Sequence, residues 1–424
     1  MHPQRGHADT GAAEALQAAA RSKLLRMTAT KWRIVGALEN LARLLKPLIS
    51  PISVANVAEQ PTKILVVEYW NLGDLAILVP FLSNLRSAFP RAKISLLINE
   101  GLEPLLERQG IVDELIPVRV PWAQHFRRWR KYNPFSLDWI SLLSAIYTLR
   151  KRRFDWAFSG RMDVRDNLLL WLTGARRRIG YGIGGGGSFL TDRITPDLSR
   201  PHRVDLWLQL LEAVSSVSNA KRMDFPLSSV DSDLADQFLG ERGIRPGSFL
   251  IGIHPGARSA IRRWGEDHFA QVAERLLQQP DVHILWFSEP DSCIRMPHLD
   301  RCVSVSLDFR HFLAVLSRCH LLLCNDSGPM HLANLLNVPV VAVFGPQKPE
   351  WYGPRGPHDR VVIRPEFSCR PCWDYCVFDQ PYCLRAISVD EVYKAVTSQM
   401  KDIPKSERTS VTAVGPAEMV SSHA

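Results

Sequence analysis

Long uninterrupted apolar runs are missing from this chain. No stretch approaches the ~20 apolar residues of a membrane-spanning helix, which excludes a bundle of spanning helices. The first residues carry Arg and His early, with no apolar core leading to a small-residue cleavage site. No signal peptide is therefore expected, and the location expected is cytoplasmic. Cysteine is sparse, eight in 424 residues, and disulfides are not expected in a reducing compartment. Cys293, Cys302, Cys319 and Cys324 read as core residues. No nucleic-acid-binding module is recognisable and the basic residues are dispersed, so nucleic acid is not an expected partner. The net charge of +9 points instead to a nucleotide or a lipid head group. No internal repeat is visible. Present instead is the composition of a soluble globular protein, 46% hydrophobic and 22% charged, with length for two domains.

The stretch "CNDSGPMHLANLLNVPVVAVFGP", Cys324 to Pro346, carries the most information. "CHLLLC" before it reads as a buried strand, "MHLANLLN" has helical spacing, and "VPVVAVFGP" is a β-branched strand stopped by Gly-Pro. Strand, tight turn, helix and strand make a βαβ crossover of a parallel sheet. Asn325 to Gly328 then sit at the carboxyl end of the first strand, with Pro329 as the first helical residue. Such a turn aims free N–H groups and the positive helix end at a phosphate. A bare N-cap by Asp326 or Ser327 explains the same residues.

The same logic applies elsewhere. "KILVVEYWNLGDLAILVPFLSNLRSAFPRAKISLLINE" reads as strand, tight loop, a helix with Leu75, Leu78, Leu82 and Leu85 on one face, and strand. "DELIPV" and "FDWAFSG" look like further strands. The pattern restarts at "FLIGIHPG" and runs through "VHILWFSE", "HLLLCND" and "PVVAVFG", and "SVDEVYKAVTSQM" makes a closing helix. Two α/β halves with parallel-strand signals imply a cleft between them. Before them, residues 1–60 mix Lys23, Arg26, Lys31 and Arg33 with Leu24, Leu25, Trp32 and Ile34 at roughly helical spacing. This basic amphipathic extension suits peripheral contact with an anionic membrane, or packing on the protein's own body. The tail over 403–424 is expected to be disordered.

Three patterns are decoys. "GIGGGG", Gly182 to Gly187, satisfies G-x-G-x-x-G but follows the basic "RRRIGY" and precedes a poor helix start, so a mobile loop is expected rather than a dinucleotide site. "DSD" at Asp231 to Asp233 heads an amphipathic helix, where N-capping explains it. "NDS" at Asn325 is a glycosylation sequon in form only.

"NDSGPMHLANLLNVPVVAVFGP", "GIHPGARSAIRRW" and "EYWNLGDLAILVPFLSNLRSAFP" together resemble the ADP-heptose:lipopolysaccharide heptosyltransferases, glycosyltransferase family 9, from about Lys63 to Val396. The resemblance implies an α/β fold of GT-B architecture, two Rossmann-like domains facing a central cleft. It places an acceptor domain at 61–226 and a nucleotide-sugar domain with the closing helix at 227–402. It implies an inverting, metal-independent transfer of a heptose or related sugar from an ADP-sugar to a lipopolysaccharide core or other lipid-linked or glycan acceptor. No cofactor is required, and ADP-heptose is the donor expected. The alternatives are a family member with another nucleotide-sugar and acceptor, or a non-catalytic nucleotide-sugar or metal-binding protein.

Residue by residue, the resemblance puts the catalytic base at Asp74 in "NLGD", where helix capping is the competing role. It puts the donor diphosphate at Ser327 and Gly328, with Asp326 as a donor-site residue and His331 within reach of phosphates or sugar. In "HPGARSAIRRW" the family Lys is replaced by Arg262, a fork that suits phosphate oxygens, with Arg263 adjacent as the alternative. Gly256 and Ala257 fall where the family has small hydroxyl residues, so their contacts would be through backbone, and Glu289 matches a carboxylate that holds the nucleoside. Cys369, Cys372, Cys376 and Cys383, spaced C-x2-C-x3-C-x6-C, would suit zinc or an iron–sulfur cluster, although relatives carry similar cysteines without a catalytic metal.

Overall fold

The computed structural model describes residues 60–123, 135–215, 225–244, 247–288, 299–372 and 376–403, with Arg33, Gly36, Ala37, Asn40 and Asn133. Nearly all of the basic extension, the tail from 404 on, Cys293 and Glu289 lie outside the described residues. The chain divides into two compact units, Met1–Arg222 and Met223–Ala424.

The first unit runs β1 (Lys63–Glu68), α1 (Leu72–Ala88), β2 (Lys93–Asn99), β3 (Glu114–Val118), α2 (Leu137–Arg152), β4 (Trp156–Ser159), α3 (Val164–Leu172), β5 (Arg177–Tyr181), β6 (Asp192–Ile194) and α4 (Arg203–Glu212). Its strands form one parallel sheet in the order β3-β2-β1-β4-β5-β6. Ile64, Leu65, Val66 and Val67 of β1 are all fully buried. This is what a parallel sheet covered on both faces demands of its central strand, and it explains why "KILVVE" is apolar throughout instead of alternating. Leu75, Leu78, Leu82 and Leu85 of α1 are buried as their spacing required, joined by Ile77, Val79 and Phe81.

The second unit runs α5 (Ser229–Glu241), β7 (Phe249–His254), α6 (Glu266–Leu276), β8 (Val282–Phe287), β9 (Cys302–Val305), α7 (Phe309–Leu316), β10 (Leu321–Asn325), α8 (Gly328–Leu335), β11 (Val340–Phe344), β12 (Arg360–Ile363) and, after a short helical turn, α9 (Val389–Asp402). Its sheet is parallel too, in the order β12-β11-β10-β7-β8-β9. Counted from its own first strand, each unit has the order 3-2-1-4-5-6 of the doubly wound nucleotide-binding fold. The order reverses direction between strands 1 and 4, so the crevice lies at the carboxyl ends of β1 and β4 in one unit and of β7 and β10 in the other.

Four strands lie outside the runs picked from the pattern: β5, β6, β9 and β12. β5 was hidden by its charges, which the fold neutralises locally. Arg177 pairs with Asp192 on the neighbouring strand at 2.7 Å, and the buried Arg178 donates to the carbonyls of Ala175 and Phe189, both at 2.7 Å. The glycine run that follows is not a mobile loop. Gly182 to Gly186 are buried and Gly187 is half-buried, and Asn167 Nδ2 donates to the Tyr181 and Gly185 carbonyls at 2.9 Å. A Cβ on Gly184 would meet the Met162 carbonyl oxygen at 1.8 Å, so its glycine serves close packing, and only a three-residue 3-10 turn follows. At the "DSD" segment Ser228 is the N-cap and Asp231 its reciprocal capping partner, as capping required. Among the described residues no helix is long and apolar enough to cross a membrane.

Gly160, between β4 and the loop that follows, has the indole of Trp207 where a Cβ would lie, at 2.5 Å. Trp207 is itself fully buried against Phe81, whose ring is 5.0 Å away, and cannot give way. Gly160→Ala should therefore lower stability by about 1–3 kcal/mol through overpacking. A denaturation midpoint equal to that of the unsubstituted protein would show that the indole has room to move.

Candidate functional site

In the first unit, the carboxyl ends of β1 and β4 bring together three charged groups. Glu68 closes β1, Asp74 lies in the first turn of α1, and Arg161 follows β4 by two residues. Arg161 forks onto Glu68 through Nη2 at 2.9 Å and Nε at 3.2 Å, and the same Nη2 reaches Asp74 Oδ1 at 2.8 Å. Asp74 Oδ2 also accepts from the backbone N–H and side-chain amide of Asn71, each at 3.3 Å. Asp74 thus fills the capping role weighed for it and is also one partner of a shared guanidinium.

The electrostatics separate the two carboxylates. Burial pushes the Asp74 carboxyl up, but the charge of Arg161, supported by Arg203, outweighs it and holds the group down at about 2. Glu68, almost wholly buried, goes the other way, because burial outweighs Arg161 and the Asp74 charge adds to it. Beneath them Asp166 is fully buried, and burial followed by the Asp163 charge raises it to about 7. Around this cluster stand Trp70, with the Arg161 guanidinium 5.2 Å and that of Arg165 5.8 Å from its ring, and Trp122, which donates to Tyr69 Oη at 2.9 Å. Glu68 and Arg161 were missed from the sequence. The available signal was a charged residue ending an otherwise apolar strand, in "ILVVE" and just after "WAFSG".

In the second unit, the ends of β7 and β10 hold the remaining described candidates. Asn325, fully buried at the end of β10, accepts the Trp264 N–H at 3.0 Å and donates to the Pro255 and Gly256 carbonyls at 2.7 and 3.3 Å. It stitches the loop after β7 to the turn after β10. Within that loop Arg263 Nε donates to the Ala257 carbonyl at 2.8 Å, so Arg263 braces backbone, while Arg262 reaches Asp326 Oδ2 at 3.4 Å. The two arginines differ in what they face: Arg262 the acidic turn, Arg263 the loop. Gly256 and Ala257 come to the same place, with their carbonyls occupied as acceptors. Burial holds His254, which closes β7, neutral at about 4.

Ser327 is the N-cap of α8, Gly328 its first residue and Pro329 its second, one position later than expected. The Ser327 hydroxyl is shielded from solvent and makes no hydrogen bond among the described residues, at the point where the helix presents its first N–H groups. A buried hydroxyl without a partner at a helix N-terminus suits an anion that accepts from both. His331 stands partly buried in the first turn of the same helix.

The four clustered cysteines are all free thiols. Burial first, then Cys369 beside it and Cys376 and Cys383 beyond, push the Cys372 thiol up to about 12. They are gathered, but among the described residues no group of three or more His, Cys, Asp or Glu is arranged to hold a metal ion.

Comparison with known proteins bears on the family and the fold. The family model described as glycosyltransferase family 9 (heptosyltransferase) matches residues 142–382, more than half of the chain. Lipopolysaccharide heptosyltransferase 2 of Escherichia coli is 24% identical over 320 residues, covering 71% of this chain and 87% of that protein. Lipopolysaccharide heptosyltransferase 1 of Pseudomonas aeruginosa is 26% identical over 330 residues, covering 73% and 86%. Among solved structures, the family 9 glycosyl transferase of Veillonella parvula has a TM-score of 0.65 at 23% identity, covering 80% of this chain and 98% of that one. The Escherichia coli ADP-heptose lps heptosyltransferase II has 0.60 at 19%, covering 80% and 99%. The heptosyltransferase WaaC with ADP, also from Escherichia coli, has 0.57 at 17%, covering 80% and 99%. At these identities the solved structures speak for the fold, which is GT-B, and the extent of the family match speaks for membership. The chain belongs to glycosyltransferase family 9, the heptosyltransferases, and is a glycosyltransferase.

Proposed function

We propose that this glycosyltransferase moves a heptosyl group from an ADP-sugar to a lipopolysaccharide-type acceptor by single displacement, with inversion and without a metal. The observation that carries the reading is the pairing of chemistries at the two strand-order reversals: an ionised carboxylate in one unit and an anion-accepting turn in the other. The relatives named for lipopolysaccharide and the neighbour that holds ADP support the choice of acceptor and nucleotide. The first unit then takes the acceptor and the second the donor, and the reaction belongs in the cytoplasm, where nucleotide-sugars are found.

In this mechanism an acceptor hydroxyl oxygen attacks the anomeric carbon while the bond from that carbon to the diphosphate oxygen breaks. The electron pair leaves with the diphosphate, and the hydroxyl proton passes to Asp74. A carboxylate held near 2 is a weak base towards a neutral alcohol, so it takes the proton late, as the attacking oxygen becomes acidic in the transition state. Its value lies in being ionised at every working pH and fixed in direction by Arg161 and Asn71. The departing charge is received by the Ser327 hydroxyl, the first N–H groups of α8 and Arg262. Glu289 would hold the nucleoside and His331 the phosphates or sugar.

Assay of the purified protein against ADP-, UDP- and GDP-sugars in EDTA should show transfer from the ADP-sugar. Turnover that vanishes in EDTA and returns with Mg²⁺ would defeat the metal-free scheme. Transfer from a UDP- or GDP-sugar alone would replace the donor.

Asp74→Asn should keep ADP affinity and lose about 100-fold or more in turnover. The pH profile adds an independent check. Because Arg161 depresses Asp74, the acid limb of kcat/KM belonging to Asp74 lies near pH 2 in the unsubstituted enzyme. In Arg161→Met burial is opposed only by Arg203 and the Asn71 hydrogen bond, and that limb should rise towards the ordinary carboxylate value near 4. A limb that does not move, or an Asn variant that turns over normally, would remove Asp74 from the chemistry.

If Arg262 receives the leaving diphosphate, Arg262→Ala should weaken ADP binding by about 1.5–3 kcal/mol, the range for a charged hydrogen bond. Arg263→Ala should loosen the loop without that loss. Calorimetry giving the opposite pattern would exchange their roles.

A further inference from the structure

Helix α2 is apolar on both sides. Its inner side buries Leu142, Ala145 and Leu149 in the core of the first unit. On the opposite side Leu137, Ile140, Leu143 and Tyr147 lie between 55% and 63% exposed, and Phe135 just before the helix is 86% exposed. These five are the greater part of the large apolar side chains exposed among the described residues, and they fall within one short segment. At 100° per residue, positions 137, 140, 143 and 147 form one stripe about 15 Å long. Contiguous exposed apolar surface of this kind marks an interaction site.

Charge identifies the occupant. Residues 124–153 contain eight Lys and Arg and a single acid, Asp138, which is buried on the inner side. At the end of the stripe Arg150, Lys151 and Arg153 are exposed, and the Lys151 ammonium stands 4.0 Å from the Tyr147 ring centre. Arg127, Arg128, Arg130 and Lys131, with Phe126 and Trp129 among them, precede it in sequence. An apolar stripe with exposed cations at its end, a basic sequence before it and no described anion on its face fits the head-group boundary of an anionic bilayer. A second copy of the chain would bring two such basic fields together across a two-fold axis, and residues 1–60, themselves net basic, would be repelled likewise.

We propose that the outer face of α2 docks the protein on anionic phospholipid. Leu137, Ile140, Leu143 and Tyr147 would enter the head-group region while the flanking Lys and Arg meet lipid phosphates. The purpose of such docking rests on the proposed lipid-anchored acceptor, but the docking itself does not depend on the catalytic assignment.

The test is co-sedimentation of the full chain with vesicles of phosphatidylglycerol and phosphatidylethanolamine, against vesicles of phosphatidylcholine, at low and high salt. The unsubstituted protein should partition at least about tenfold more strongly onto the anionic vesicles at low salt, and the difference should shrink at high salt. Ile140→Glu with Leu143→Glu should lower that partition by about tenfold or more, since two apolar anchors become repelled anions. Its melting temperature and its turnover on a water-soluble acceptor fragment should not change. Arg150→Gln with Lys151→Gln should lower partition about threefold or more and only at low salt. Undiminished sedimentation of the Glu variant would overturn the proposal, as would indifference of the unsubstituted protein to anionic vesicles. A melting temperature lowered by several degrees in the Glu variant would mean that the face is covered by this chain, and a dimer dissociated by that variant would mean that it is covered by a second copy; either result also overturns it. Failure of the heptosyl-transfer reading would appear in the donor assay and leave the vesicle result standing.

Discussion

The side-chain amide of Asn325 has no solvent to turn to. It sits at the end of a strand whose every residue is buried, and all three of its hydrogen bonds go to backbone groups of the loop that follows the neighbouring strand. Replacing any of these contacts with nothing would leave a buried N–H or C=O without a partner, which costs about 1–3 kcal/mol each. The loop after β7 therefore has little freedom to leave the turn after β10. That constraint is what puts Arg262 next to Asp326 and leaves Ser327 and the start of α8 at the same end of the sheet. Parallel strands provide the place by bringing all carboxyl ends to one edge, and the amide provides the register of one loop against the other.

The first unit solves the same problem with charge instead of an amide. Arg161 is one cation between two carboxylates, and its position is held by the buried Glu68 more than by the better exposed Asp74. The consequence for stability has opposite signs within a few ångströms. Asp74 is depressed, so its contribution is present above about pH 4 and is lost as pH falls towards 2; Asp166 is raised, so its contribution is present below about 4 and is lost as pH rises through about 7. A site containing both cannot be at its electrostatic optimum across the neutral range. In the proposed mechanism that strain accompanies a carboxylate kept ionised and aimed, the pattern by which functional sites depart from the rules that govern the rest of a fold.

Much of this architecture was legible because parallel strands buried on both faces leave a short, near-continuous apolar run between turn signals. β1, β7, β10 and β11 are of that kind, and each was found. β5 and β6 carry the arginines and aspartates of an outer pair whose charges satisfy one another across the ladder, and no single-strand pattern can show a partner that lies fifteen residues on. The motifs likewise located the turns at the strand ends but not how they are held. Asp74 was legible from "NLGD", whereas Glu68 and Arg161 are ninety-three residues apart and meet only because β1 and β4 are neighbours. Arg262 and Arg263 were equivalent on paper and are separated by one hydrogen bond to a loop carbonyl.

Helix α2 was the element least available to pattern reading, for an instructive reason. An amphipathic helix betrays itself by contrast between its faces, and α2 has little contrast, since Leu142 and Leu149 on one side are matched by Ile140 and Leu143 on the other. Only the packing tells the two sides apart: the sheet takes one and no described residue of its own unit takes the other. Its charge then follows the same asymmetry, with the one acid turned inward and the lysine and arginines left at the exposed end. In the proposed reaction the electrostatics at the strand ends would act over a few ångströms on a sugar nucleotide and a hydroxyl, and in the proposed docking the basic field of this segment would act over the Debye length on an extended surface. Two such tasks would need different residues, and the fold offers them different elements: loops at the carboxyl ends of the strands for the chemistry, the outer side of a covering helix for the surface.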